Sequence, residues 1–331
     1  MTYILFVAGF FLVIYGANYL VDGAASLARR LNVSNIVIGL TVVAFGTSAP
    51  ELIVTIVAST EGSNDIALGN VLGSNILNVL LILGISALIY PLTVHKNTVW
   101  KEIPLALLAA VMIFLLGSDL DLDNERIDYL STVSSHLPLL GAIGKIDGLV
   151  LLSFFIVFLY YAFASAKDIT AEGGGEPVQE FTLGRSFLFT FLGLAALVVG
   201  GRWIVSGAVD ISLRLGMTEK LVGLTIVAFG TSLPELVTSI VAAKKKQTDI
   251  AIGNVVGSNV FNTFFILGTA AIISPVTINS NTQIDALVNV GTGTLLFGLL
   301  FVGKRHTIGR PEGVIFLLSY IAYTIYLIWR E

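Results

Sequence analysis

Cysteine is absent from this chain of 331 residues, which excludes disulfide bridges and thiolate metal sites but leaves the compartment open. Charge is scarce as well. Asp, Glu, Lys and Arg make up 12 % of the residues, about half their share in a soluble domain. The net charge of −4 is scattered and there is no extended basic stripe, so nothing points to nucleic acid. The first residues, MTYILFVAGF, lack a basic n-region and a convincing cleavage site. They read as the start of a membrane span and not as a signal peptide.

Apolar sequence fills the chain instead. Hydrophobic residues reach 55 % and the mean hydropathy is +0.90, outside the range of soluble domains, and runs of spanning length recur throughout. Ten spans are predicted, over Thr2–Leu27, Ile36–Ser59, Ile66–Tyr90, Trp100–Leu116, Gly148–Ala166, Gly184–Val209, Leu221–Ala243, Ile250–Ile273, Ile284–Val302 and Val314–Trp329. The expected fold is an all-α membrane protein in a lipid bilayer.

Two stretches are near copies. Ile38–Gly84 and Val222–Gly268 align without a gap at an offset of 184 residues, with 28 of 47 positions identical. The chain therefore divides into a first five-helix repeat over 1–166, a polar linker over 167–181 and a second repeat over 182–331. Orientation follows from the basic residues. With the N-terminus outside, the inner loops hold twelve, among them Arg29, Arg30 and Lys244–Lys246, and the outer segments hold five. Both termini are then predicted outside. Arg202 is left within the sixth span, snorkelling toward the outer interface. An odd number of spans separates the copies, so the repeat is inverted, a design that places substrate near the midplane between the repeats.

Each copy opens with G-T-S-x-P-E. Pro50 lacks an N–H, so the carbonyl of Gly46 has no helical partner, and Pro234 does the same to Gly230. Broken helix at membrane depth is tolerated only where it is buried in protein or lines a watery cavity. Helical spacing puts Ala44, Thr47, Ser48 and Glu51 on one face, and Ala228, Thr231, Ser232 and Glu235 on the other. An ionised carboxylate at mid-span costs about 2.5–3.5 kcal/mol on the lenient insertion scale, so Glu51 and Glu235 are expected to serve function. Each copy closes with GNxxGSNxxN. Its small-xxx-small pairs, Gly69 with Gly73 and Gly253 with Gly257, are expected to let helices approach closely. Ser74, Asn78, Ser258 and Asn262 are assigned to an ion path, and Asn70, Asn75, Asn254 and Asn259 to bonds between helices.

Oxygen-only ligands with no His or Cys favour calcium, sodium or magnesium over softer metals. Calcium wants six to eight oxygens in a flexible cage, and two bidentate glutamates with oxygens from Thr47 and Thr231 supply about six. Two carboxylates balance one Ca²⁺. Without it they repel each other and need Na⁺ or protons, a physical reason for a site to exchange ions instead of emptying.

The paired G-T-S-x-P-E and GNxxGSNxxN segments resemble the α-repeats of the cation/calcium exchanger superfamily, particularly its small prokaryotic sodium/calcium exchanger-like members. The resemblance implies five helices plus five inverted helices. It also implies that Glu51 and Glu235 are shared calcium and sodium carboxylates, with further oxygens from Thr47, Ser48, Thr231, Ser232 and the carbonyls of Ala44 and Ala228. Ser74, Asn78 and Ser258 complete the side sites. Several exchangers carry Asp where this chain has Asn262, which leaves the sodium stoichiometry and any potassium dependence open.

The function so implied is antiport of Ca²⁺ against Na⁺ across the cytoplasmic membrane, normally extruding Ca²⁺, with more than two Na⁺ per Ca²⁺. The first and sixth helices would slide over the ion-binding core. No covalent catalysis, cofactor or obligate protein partner is expected. The alternatives are a proton/calcium exchanger, disfavoured because GTSxPE stands where a GNxxE-type motif is typical, a passive channel, and a non-transporting scaffold.

Overall fold

The computed structural model describes residues 2–118, 139–164, 180–214 and 228–330. Residues 167–179 of the linker, most of the acidic outer loop and the first part of the seventh span lie outside the described residues. In chain order the helices are α1 (Thr2–Arg30), α2 (Asn35–Thr47), α3 (Ala49–Thr60), α4 (Asp65–Ile89), α5 (Lys96–Leu116), α6 (Lys145–Ala164) and α7 (Leu183–Arg214). They continue as α8 (Ala228–Thr231), α9 (Leu233–Lys244), α10 (Thr248–Ile273), α11 (Ser280–Leu299) and α12 (Arg310–Arg330).

Among the described residues, seven helices are long and apolar enough to cross a membrane, and eight if α2 and α3 count as one span bent by 48°. The expected seventh span is described only from Ala228 onward. The expected ninth is α11, a helix of 20 residues that falls outside that set and carries Asn281, Gln283, Asp285 and Asn289.

The fold is mostly helical, with a few short strands in its connections. Four short strands, β1 (Leu92–Thr93), β2 (Leu139–Ile143), β3 (Val276–Asn279) and β4 (Thr307–Ile308), form two antiparallel ladders, β1 with β4 and β2 with β3. They sit in connections and satisfy backbone groups there without water. The offset of 184 carries Leu92 and Thr93 of β1 onto Val276 and Thr277 of β3. Each ladder joins a connection of one half of the chain to a connection of the other half.

Helices α1 and α7 lie antiparallel against each other. A Cβ on Gly9 would lie 2.8 Å from the Gly200 carbonyl, and one on Gly16 would lie 3.0 Å from the Gly193 carbonyl. Gly193 and Gly200 are Gly9 and Gly16 displaced by 184, so each glycine meets the counterpart of the other. The same holds further out, where Gly23 meets Thr190 and Gly207 meets Phe6. Ser26 and Ser186 bond at 2.8 Å, and Arg30 Nε donates to the Phe181 carbonyl at 2.8 Å, tying the end of the linker to α1.

The core lies between α2, α4 and α10. Gly253 and Gly257 let α10 touch the backbone of α2, where a Cβ would come within 2.8 Å of the Ile36 carbonyl and 2.6 Å of the Leu40 carbonyl. The segment equivalent to α2 lies largely outside the described residues.

A bulky residue at Gly16 or Gly193 drives α1 and α7 apart. Gly16→Leu and Gly193→Leu are expected to lower thermal stability in detergent by about 1–3 kcal/mol, the cost of overpacking. Gly298→Ala, where nothing lies within 4 Å of an added Cβ, should be neutral. Equal thermal unfolding of all three variants would contradict the packing described.

Candidate cation site

Two helix breaks create the site. Between α2 and α3, Ser48 leaves helical geometry at φ −80° and ψ 9°, and Pro50 stands in the first turn of α3. Between α8 and α9, Ser232 does the same at φ −86° and ψ 8°, ahead of Pro234. The break puts Glu51 and Glu235 into first helical turns, where the positive ends of the helix dipoles favour anionic groups. Both glutamates are buried, each 1 % exposed.

Their partners come from the opposite repeat. Ser48 Oγ donates to Glu235 Oε1 at 2.8 Å and Ser232 Oγ donates to Glu51 Oε1 at 2.9 Å. The two serines also reach Ser258 and Ser74, each at 3.0 Å. A longer contact of 3.5 Å joins Ser74 to Glu51. Neither glutamate has a Lys or Arg partner among the described residues.

Asparagines brace this arrangement. Asn70 Nδ2 donates to the Glu51 carbonyl at 3.2 Å and to Thr55 at 2.9 Å, and Asn254 donates to the Glu235 carbonyl at 3.2 Å and to Ser239 at 3.0 Å. Their Oδ1 atoms accept from Thr231 at 3.4 Å and Thr47 at 3.0 Å. One turn beyond Ser74 and Ser258, Asn78 donates to Asn259 Oδ1 at 2.9 Å and Asn262 donates to Asn75 Oδ1 at 3.2 Å. Every one of these pairs has its mate at an offset of 184 residues. At Asn78 and at Phe261 the helices widen into π-turns, Asn78–Leu83 and Phe261–Leu267, a distortion frequent at functional sites.

Within this cluster four buried oxygens have no hydrogen-bond partner, Glu51 Oε2, Glu235 Oε2, Asn78 Oδ1 and Asn262 Oδ1; elsewhere among the described residues the same holds for Glu102 Oε2 and the hydroxyls of Ser34, Ser59, Ser86 and Thr238. The four in the cluster are two symmetry-related pairs. A buried acceptor without a donor costs about 1–3 kcal/mol, and more when it is charged. Two of these acceptors are carboxylate oxygens, the kind of oxygen that hard cations bind. Among the described residues no three His, Cys, Asp or Glu side chains gather, so any ion here would rest on two acids and neutral oxygens.

The remaining residues singled out in the sequence fall as follows. Thr47 is fully buried and donates to Asn254, with a second contact of 3.3 Å to the Ala44 carbonyl. That carbonyl also accepts the Ser48 N–H at 3.0 Å, so the Ala44 oxygen is already bonded here. Ala228 starts α8, and its side chain lies outside the described residues. The bonds from Ser48 and Ser232 to the carboxylate of the other repeat are not readable from spacing, which shows equivalence and not contact.

The sequence matches the sodium/calcium exchanger protein family over residues 1–164 and 185–329. It is 31 % identical to the sodium/calcium exchanger MaX1 of Methanosarcina acetivorans, with 99 % of each chain covered. It is 33 % identical to the inner membrane protein YrbG of Escherichia coli, over 98 % of this chain and 96 % of the relative. The fold is similar to that of the sodium-calcium exchanger NCX_Mj soaked with Na⁺ and Ca²⁺, with a TM-score of 0.81, 33 % identity, and 98 % and 97 % of the two chains covered. The paired broken helices, the buried glutamates and these likenesses lead to one statement: the chain belongs to the sodium/calcium exchanger family.

Proposed function

We propose that this protein exchanges Ca²⁺ for Na⁺ across the cytoplasmic membrane, extruding Ca²⁺, through ten membrane spans arranged as two inverted five-helix repeats, 1–166 and 182–331. The observation that carries this reading is the set of four uncommitted acceptors, Oε2 of Glu51 and Glu235 and Oδ1 of Asn78 and Asn262. MaX1 and NCX_Mj are named for the same exchange, which supports it. The antiparallel packing of the equivalent helices α1 and α7 supports inversion, and the ladders support the assignment of sides. The positive-inside count puts β1 and β4 together inside, and β2 and β3 together outside.

In this reading Glu51 and Glu235 carry the charge. At 4 Å and an effective dielectric of 20, one carboxylate attracts a monovalent ion by about 4 kcal/mol and a divalent ion by about twice that, before dehydration is subtracted. Two carboxylates balance a single Ca²⁺. Two Na⁺ balance them equally well, so either cargo relieves the repulsion that an empty site suffers. Ser48 and Ser232 hold Oε1 of each glutamate, which leaves Oε2 for the ion. Thr47, Thr231, Ser74, Ser258 and the carbonyls of Ala44 and Ala228 complete the proposed ligand set. Asn78 and Asn262 contribute neutral oxygens, so a third Na⁺ would carry net charge through the transport step.

The test is ⁴⁵Ca²⁺ uptake into proteoliposomes under an imposed Na⁺ gradient, beside the same preparation under an imposed pH gradient. Sodium-driven uptake is expected. Uptake driven by pH alone would point to a proton/calcium exchanger, and uptake only down the Ca²⁺ gradient to a channel.

Two sets of variants probe the ligands. Glu51→Gln and Glu235→Gln keep the side-chain volume and remove half the balancing charge, so each should abolish exchange while the purified protein remains folded. Asn78→Ala and Asn262→Ala keep both carboxylates and delete one oxygen. Each should weaken Ca²⁺ binding about tenfold, equivalent to about 1.4 kcal/mol. Calorimetric titration of the purified variants reads the second effect, and unchanged affinity would remove the amides from the site.

A further inference from the structure

A cavity of about 20 Å³ lies where α4, α5, α10 and α11 meet, beside the asparagines that brace the site. Three amides line it, those of Asn75, Asn259 and Asn289, together with Val79, and the rest of its wall is apolar. Asn289 comes from α11 and is 3 % exposed, and its Nδ2 meets no acceptor among the described residues. The ligand set proposed above does not include it.

The two-fold relation between the repeats fails at this point. Asn75 Nδ2 donates to the Thr263 hydroxyl at 3.0 Å. The offset of 184 carries Asn75 onto Asn259 and Val79 onto Thr263, so the mate of that bond has a valine where the hydroxyl would be. Asn259 Nδ2 donates instead to the Asn75 carbonyl at 3.1 Å. The same offset carries Leu105 onto Asn289. Of the two equivalent positions, one therefore combines Thr263 with Leu105 and the other combines Val79 with Asn289. The cavity lies at the second.

We infer that this cavity binds one water molecule, held by Asn289, which gives Asn259 the acceptor that Val79 lacks. Size and chemistry both fit. A water needs about 10–15 Å³ of such space and two to four polar partners, and the cavity offers the room and three amides. An amide oxygen accepts two hydrogen bonds and an amide nitrogen donates two. In the bonds named here Asn75 and Asn259 each use one of either kind, which leaves capacity for a water. That water accepts the Asn289 N–H and keeps a second lone pair and two hydrogens for the other amides. A cation does not fit, because no carboxylate lines the cavity and a buried charge is costly unless it is paired.

The consequence for the ions rests on the antiport reading. Asn259 Oδ1 accepts from Asn78 at 2.9 Å, so fixing the Asn259 amide fixes Asn78, whose own Oδ1 is a proposed ligand. Asn289 is thus a positioning residue that acts through the water and Asn259 and touches no ion.

High-resolution crystallography of the full-length protein reads the water directly. Density for one water within hydrogen-bond distance of Asn289 is expected in the wild type. It should vanish in Asn289→Leu, which copies Leu105, and in Val79→Thr, which copies Thr263 and supplies a hydroxyl. Calorimetric titration with Ca²⁺ reads the consequence. Asn289→Leu should weaken binding about threefold, less than loss of the Asn78 oxygen, because an outer partner tunes a metal site through the ligand it orients. Val79→Thr alone should bind as the wild type does. Val79→Thr added to Asn289→Leu should restore wild-type affinity, which a general packing defect at Asn289 would not allow. An unoccupied cavity in the wild type, or a cation within it, would overturn the water site. Water persisting beside the new hydroxyl of Val79→Thr, a variant that leaves Asn289 intact, would overturn the exchange of one for the other. Unchanged affinity in Asn289→Leu would overturn the positioning role. If the wild type bound no Ca²⁺, the antiport reading would fall while the density still decided the water.

Discussion

Two buried carboxylates that no basic side chain among the described residues answers constrain everything else in this protein. Each glutamate is held on one oxygen by a serine of the opposite repeat, Ser232 for Glu51 and Ser48 for Glu235, and is left bare on the other. The two repeats are thereby locked together at their charged centre. Moving one repeat alone would break both bonds and strand two buried oxygens, each at a cost of about 1–3 kcal/mol or more. The core is therefore expected to stay rigid while other elements move around it.

The helix breaks and asparagine braces serve that centre. A continuous helix would bury Ser48 and Glu51 in one regular turn, whereas the break frees the backbone and sets Glu51 at a new helix start. Asn70 and Asn254 then tie the carbonyls of the glutamates to α4 and α10. The α1–α7 pair shares none of these bonds. Its closest glycine contacts are internal, and its attachments to the core include one exposed ion pair and side-chain packing.

Much of this was legible in the residues. The offset of 184, the prolines after Gly46 and Gly230, and the acid one residue after each proline point to a broken, duplicated site before any coordinates. Other features were not. Strands of two to five residues in connecting segments carry no periodic signal. The π-turns at Asn78–Leu83 and Phe261–Leu267 have no signal in helical spacing. Spacing does set Asn78 and Asn262 apart from the other four asparagines of the GNxxGSNxxN segments, but not the bonding itself: Asn78 and Asn262 keep an oxygen without a donor, whereas Asn70, Asn75, Asn254 and Asn259 each meet a donor from another helix. The closeness of α1 to α9, marked by the Lys245–Asp22 pair, was likewise not readable from spacing. Helix ends shifted for local reasons: α1 runs on to Arg30 instead of Leu27, its last turn carrying Arg29 and Arg30, where cations interact favourably with the helix dipole.

The central claim is that the uncommitted oxygens of Glu51, Glu235, Asn78 and Asn262 are cation ligands. Anomalous diffraction from crystals soaked in Sr²⁺, a heavier stand-in for Ca²⁺, locates such an ion without reference to transport. The account predicts one strong peak between the two glutamates, within about 2.3–2.6 Å of an oxygen of each when Ca²⁺ replaces Sr²⁺. A peak held by one glutamate alone, or a cation bound only elsewhere in the protein, would contradict it.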